Sequence, residues 1–163
     1  MSLFFSLLAI ALLGTAGCNK NQRPEGLPPT HPLTITVTQE GNPLEGATVS
    51  LVSPELKWVI GGVTNADGQA KMMTHGKFEG APEGTFNVII LKTVYEGRDE
   101  YDAAMARGDS AAAQKIDVKA IQFVEDKYTS AKDTPLKAEV KKETKVLDVD
   151  AGPVVKITKP FLK

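Results

Sequence analysis

Between Leu33 and Leu91 apolar and polar side chains alternate in short runs, and each run ends in a cluster of Gly, Pro, Asn or Asp. Alternation with a period of two, bounded by turn formers, is the pattern of half-buried strands joined by turns. Leu33, Ile35 and Val37 face one way and Thr34, Thr36 and Thr38 the other, which predicts a strand over 33–38. Glu40-Gly41-Asn42-Pro43 then turns the chain. Ala47, Val49 and Leu51 are the inward set of a second strand over 47–52, and Pro54 ends it. Trp58-Val59-Ile60 makes a shorter third run, which Gly61 and Gly62 are expected to weaken or bulge. Thr64 to Gly68 is a turn containing the hairpin pair Asp67-Gly68, and it leads to a fourth strand, 69–73. After a glycine-rich loop over 76–84, the run from Thr85 to Lys92 is apolar on both faces at Phe86, Val88, Ile89, Ile90 and Leu91. A strand apolar on both faces belongs in the middle of its sheet.

The pattern changes over 94–132, where Ala and charged residues replace the β-branched runs. Ala103-Ala104-Met105 lies in a first helical stretch broken at Gly108, and Asp109-Ser110 is an N-cap signal for a second. On that second helix Ile116, Ala120, Phe123 and Val124 fall at helical spacing and predict an apolar face. Tyr95, Tyr101 and Tyr128 are expected to pack against the edge of the β-structure. Alternation returns at Thr134, with Leu136, Ala138 and Val140 against Lys137, Glu139 and Lys141. Two further runs, 146–149 and 154–158, close the chain. Short strands at regular spacing predict an all-β, antiparallel sandwich of about seven to eight strands, with a helical insertion before the last three.

The N-terminus carries an address. Residues 3–14 are apolar apart from Ser6 and Gly14. That is too short to span a bilayer, which takes about 20 residues, and suits the apolar core of a secretory signal. Thr15-Ala16-Gly17-Cys18 follows, and Cys18 is the chain's only cysteine. Small residues before a cysteine resemble the lipobox of bacterial lipoproteins, although Thr15 stands where that pattern favours Leu and Met1-Ser2 supplies no cation. The resemblance implies a signal over 1–17, lipidation of Cys18 as the mature N-terminus, and a stable membrane anchor, since several acyl chains hold where one does not. The competing readings are an ordinary signal with a free cysteine and a fortuitous apolar start. Residues 19–32 contain four prolines and few apolar side chains, which predicts an extended, partly disordered tether with His31 solvated within it. With one cysteine no intrachain disulfide forms, so the domain over 33–163 relies on its core. A net charge of −1, from 19 basic and 20 acidic residues, gives no electrostatic reason to expect nucleic acid.

Three pieces of the central stretch resemble one family. Asn42-Pro43-Leu44-Glu45-Gly46-Ala47-Thr48-Val49 is similar to the G-x-P-L-x-G-A-x-V opening of carboxypeptidase regulatory-like domains. Gly62 to Ala70 is similar to their x-T-x-x-D-G-x-A hairpin, and Gly80 to Val88 to their G-x-P-x-G-x-Y-x-V, with Phe86 at the Tyr position. A weaker likeness, to lipoproteins of the kind common in Planctomycetes-like bacteria, covers Phe123–Tyr128 and Thr134–Val140. The resemblance implies a prealbumin-like (transthyretin-like, Ig-like) β-sandwich. These are turn and core motifs, so they speak for fold and not for a site. The same fold hosts 5-hydroxyisourate hydrolases, which use several histidines and a C-terminal Tyr-Arg-Gly-Ser; this chain ends Lys159-Pro160-Phe161-Leu162-Lys163.

Candidate chemistry is sparse. His31 and His75 are the only histidines, and a Ser-His-Asp arrangement would have to use His75 at the edge of a glycine-rich loop. Asn65 and Asp67 offer oxygens to Ca²⁺ without the spacing of a calcium loop, and the hairpin turn is the simpler account. Asp148 with Asp150, and Glu96, Asp99, Glu100 and Asp102, read as solvated faces. Lys137, Lys141, Lys142 and Lys145 form a basic stripe that discourages edge pairing. Trp58, Tyr95, Tyr101 and Tyr128 are the candidates for an aromatic ligand platform, against their covering the sandwich edge. The expectation is a non-enzymatic lipoprotein of the bacterial cell envelope, without cofactor or metal, whose partners are the membrane at Cys18 and an envelope protein. The alternative is a carbohydrate-like ligand module built on those four aromatics.

Overall fold

A computed structural model describes residues 23–159. The strands are β1 (Thr30–His31), β2 (Thr34–Gln39), β3 (Asn42–Pro43), β4 (Thr48–Val52), β5 (Ile60–Val63), β6 (Gln69–Lys71), β7 (Met73–Thr74), β8 (Phe78–Glu79), β9 (Ala81–Pro82), β10 (Gly84–Leu91), β11 (Thr93–Glu96), β12 (Lys119–Gln122), β13 (Lys137–Val140), β14 (Val146–Asp150) and β15 (Ile157–Lys159). Helices α1 (Arg98–Ala106) and α2 (Ser110–Lys115) lie between β11 and β12.

Two sheets face each other across one core. The larger runs β13-β10-β4-β5-β7-β8, with β10 in its interior as its two apolar faces predict. The smaller is built on β2, which has β14 along one edge and β3 and β6 along the other. Period-two alternation decides which side chains enter. Ile35 and Val37 of β2 meet Val49 and Leu51 of β4 and Phe86, Val88 and Ile90 of β10, all fully buried. The all-β sandwich is therefore present. Among the described residues one strand pair is parallel, β14 with β2, and every other pair is antiparallel.

Several local expectations are corrected. Gly61 and Gly62 do not bulge the third strand; they pair in register with Ser50 and Val49. A Cβ on Gly62 would lie 2.5 Å from the Lys71 carbonyl oxygen, so the glycine is there for close approach of the facing backbone. The fourth strand breaks at Met72, with β6 in the smaller sheet and β7 in the larger. The Met72 amide donates to the Leu33 carbonyl and its own carbonyl accepts from Gly80, which fixes the corner. The stretch read as the apolar face of a second helix is mostly strand. Helix α2 stops at Lys115, Ile116 is extended, and β12 pairs with β11. Val118 and Ala120 alternate with Asp117 and Lys119, and that local period of two wins once β11 offers an edge. The last strand, β15, joins β12 and not the sandwich, so β11-β12-β15 is a separate three-stranded sheet.

The prolines of the leader do not keep it extended throughout. Leu27 is buried, β1 pairs with β9, and the His31 imidazole lies 3.4 Å from the Glu83 carboxylate. His31 is thus part of the fold's edge. Gly80 makes room for this crossing: a Cβ there would sit 1.8 Å from the His31 carbonyl oxygen. The signal segment and Cys18 lie outside the described residues.

Candidate functional site

The larger sheet turns its outer face to solvent, and the pairing register says what that face carries. Leu91, Thr48 and Val63 form one row, and Ile89, Ser50, Gly61 and Met73 the next. Val52, Val63 and Leu91 are exposed. The connection from β4 to β5 folds over the end of this face. There Trp58, Leu56, Val52, Ser50 and Ile89 line a hollow of about 360 Å³. Trp58 is half-buried, packs on the core with Leu56, and meets His75 edge to face at 6.2 Å between ring centres.

His75 takes its place from a tight turn. His75 and Gly76 have φ of 56° and 65°, a left-handed pair in the three-residue connection between β7 and β8, where the Lys77 amide donates to the Thr74 carbonyl. The His75 amide donates to the Val59 carbonyl at 2.6 Å, which ties the hairpin tip to the Trp58 segment. Among the described residues its ring contact is with the Trp58 indole. Beyond the tip, Phe78 lies under two cations, with Arg23 5.2 Å and Lys77 5.7 Å from the ring centre. Arg23 also donates to the Pro28 carbonyl at 2.8 Å, closing the leader into a loop against the hairpin.

The four aromatics of the expected platform are separated by the fold. Trp58 sits in its hollow; Tyr128 is buried in the core beneath Gly152. Tyr95 is exposed on β11 and Tyr101 half-buried on α1, both near Arg98. No tyrosine lines the Trp58 hollow. Of the oxygens considered for calcium, Asn65 Oδ1 accepts from the Asp67 and Gln69 amides, shaping the hairpin. Asp148 and Asp150 are exposed on β14, and Asp150 accepts from the Gly152 amide. Among the described residues no three His, Cys, Asp or Glu side chains come together as a metal site.

Two charge pairs hold the periphery. Hydrogen bonds from Lys159 and Gln122 hold the Asp126 carboxyl below the usual carboxylate range, and they clamp β15 and β12 to the 3₁₀ turn at Asp126–Tyr128. Asp102, one turn away on α1, raises the Arg98 guanidinium's affinity for its proton. Both pairs are solvent-exposed, and neither marks a reactive group.

The Arg23–Phe78–Lys77 corner was not legible in the sequence. Its three residues come from the leader and a glycine-rich loop, where neither alternation nor helical spacing assigns a face. No protein-family model, no curated protein and no solved structure matches the chain.

Proposed function

We propose that this chain is a lipid-anchored, non-enzymatic β-sandwich of the bacterial cell envelope, a prealbumin-like domain of the carboxypeptidase regulatory-like kind that serves as a structural or protein-interaction module. One observation carries the reading: Cys18, where the small residues end, stands five residues ahead of Arg23, where the chain is already clasped to the domain. An acyl group on Cys18 then holds the sandwich at the membrane surface. The aliphatic rows on the outer face of the larger sheet suit a protein partner, because Val52, Val63 and Leu91 are exposed there. A second reading, a carbohydrate-like ligand at Trp58, is favoured by the half-exposed indole beside Ser50, although no tyrosine joins it there.

Metabolic labelling with palmitate tests the anchor. The wild-type chain takes up label and sediments with membranes, whereas Cys18→Ala takes up none. A wild-type chain that stays unlabelled overturns the proposal. Titration of oligosaccharides against Trp58 emission tests the second reading, which predicts a saturable shift lost in Trp58→Ala; a flat titration ends it.

A further inference from the structure

One corner of the molecule gathers partly exposed apolar and cationic side chains. The β4–β5 connection brings Lys57, Trp58 and Val59 to it, and the β7–β8 hairpin brings His75, Lys77 and Phe78. Val59 is 72% exposed, and Trp58 and Phe78 are half-exposed. Lys57, Lys77 and Arg23 are exposed around them, and Glu79 is the acidic side chain lining the same hollow as Arg23 and Phe78. Trp and Phe with exposed aliphatic area, ringed by Lys and Arg, is the composition that settles at a bilayer interface. The rings enter the headgroup layer, and the cations meet lipid phosphates.

The chain enters the domain at this same corner, since Arg23 lies over Phe78. Five residue steps separate Cys18 from Arg23, a contour of at most about 18 Å. A lipid on Cys18 therefore leaves this corner close to the bilayer. We infer that the Trp58–Val59 and Lys77–Phe78 corner, with Arg23, docks on the anionic phospholipid surface and fixes which side of the sandwich faces the membrane. The inference rests on the proposed anchor for its setting, and on the side chains of the corner for its substance.

Trp58 is the chain's only tryptophan, so its emission reports the corner without labelling. The protein isolated from membranes is reconstituted into vesicles of zwitterionic lipid alone, or with anionic lipid added, each with and without brominated acyl chains. Intact mass of the same sample reports Cys18. Docking predicts a blue shift and bromine quenching that strengthen with anionic lipid and weaken at high salt. In Val59→Asp/Lys77→Glu both effects are lost while the acyl mass and vesicle association persist. Both substituted positions are exposed, so the sandwich survives them. Acylated protein whose Trp58 emission matches that in detergent and escapes quenching overturns the docking and leaves the anchor standing. Quenching that ignores anionic lipid overturns the role of the cations. An unmodified Cys18 with Trp58 quenched on anionic vesicles removes the anchor and keeps the docking surface.

Discussion

The sandwich and the insertion spanning β11 to β12 differ in what they bury. The sandwich encloses Phe86, Ile35, Leu51, Ile60, Met72 and Ile90, each almost wholly removed from water. The helical part of the insertion buries Ala104 and Ala113, with Val118 just ahead of β12 and Ala120 and Ile121 on it. A large apolar side chain contributes about 1.5–3 kcal/mol on burial and an alanine far less. Stability therefore resides in the sandwich. The insertion is shaped by end effects: a left-handed Gly97, whose Cβ would sit 2.8 Å from the Asp117 carbonyl, and the Asp109 cap of α2. Met105 and Tyr95 remain exposed on it.

The largest test of this contrast removes a ring from the core. Phe86→Ala should lower global stability by about 3–5 kcal/mol, with far-ultraviolet dichroism and Trp58 emission falling together in denaturant. A loss below about 1 kcal/mol would mean that the sandwich is not where stability lies. Thr64 comes next. Its buried hydroxyl donates to the Leu44 carbonyl at 2.5 Å and accepts from the Ala47 amide at 2.8 Å, holding the loop that opens β4. Thr64→Val strands both backbone groups and should cost about 1–3 kcal/mol, read from the same midpoint.

In the insertion the effects should be local. Asp109 Oδ1 accepts from the Ala112 amide at 2.9 Å. Asp109→Ala should cost α2 about 1 kcal/mol, seen as faster amide exchange over 110–116 with the global midpoint unmoved. A shifted midpoint would show the two regions to be one cooperative unit. The smallest effect concerns pH. Because Lys159 and Gln122 hold the folded Asp126 carboxyl below its ordinary value, its stabilisation is complete above the usual aspartate pKa of about 3.9 and is lost as the pH falls through the folded value. Amides of β15 should lose protection over that acid range. In Asp126→Asn their protection should be lower at neutral pH and insensitive to acid; a wild-type response in that variant would assign the effect elsewhere.

How much of this was legible in the sequence follows the same division. Leu33, Ile35, Val37, Ala47, Val49 and Leu51 announce their faces because one sheet surface is buried and the other wet. The Asp109 cap and the break at Gly108 were equally plain. Where apolar residues fit two periods the signal failed: Ile116 to Val124 fits a helical stripe as well as a strand, and the edge of β11 decides between them. Met72 changes sheets with no mark in its neighbours, and the pairing of β1 with β9 joins residues 50 positions apart in register. The aromatic platform failed for a related reason: nothing in the sequence relates Trp58 to the tyrosines, and the fold sends them to different layers.

The most direct test of the account is the intact mass of the protein extracted from the membrane fraction. The account predicts a chain that begins at Cys18 and is heavier than its sequence by a lipid modification, with no such species from Cys18→Ala. A chain whose Cys18 carries nothing would contradict it, and with it the placement of this sandwich at a membrane.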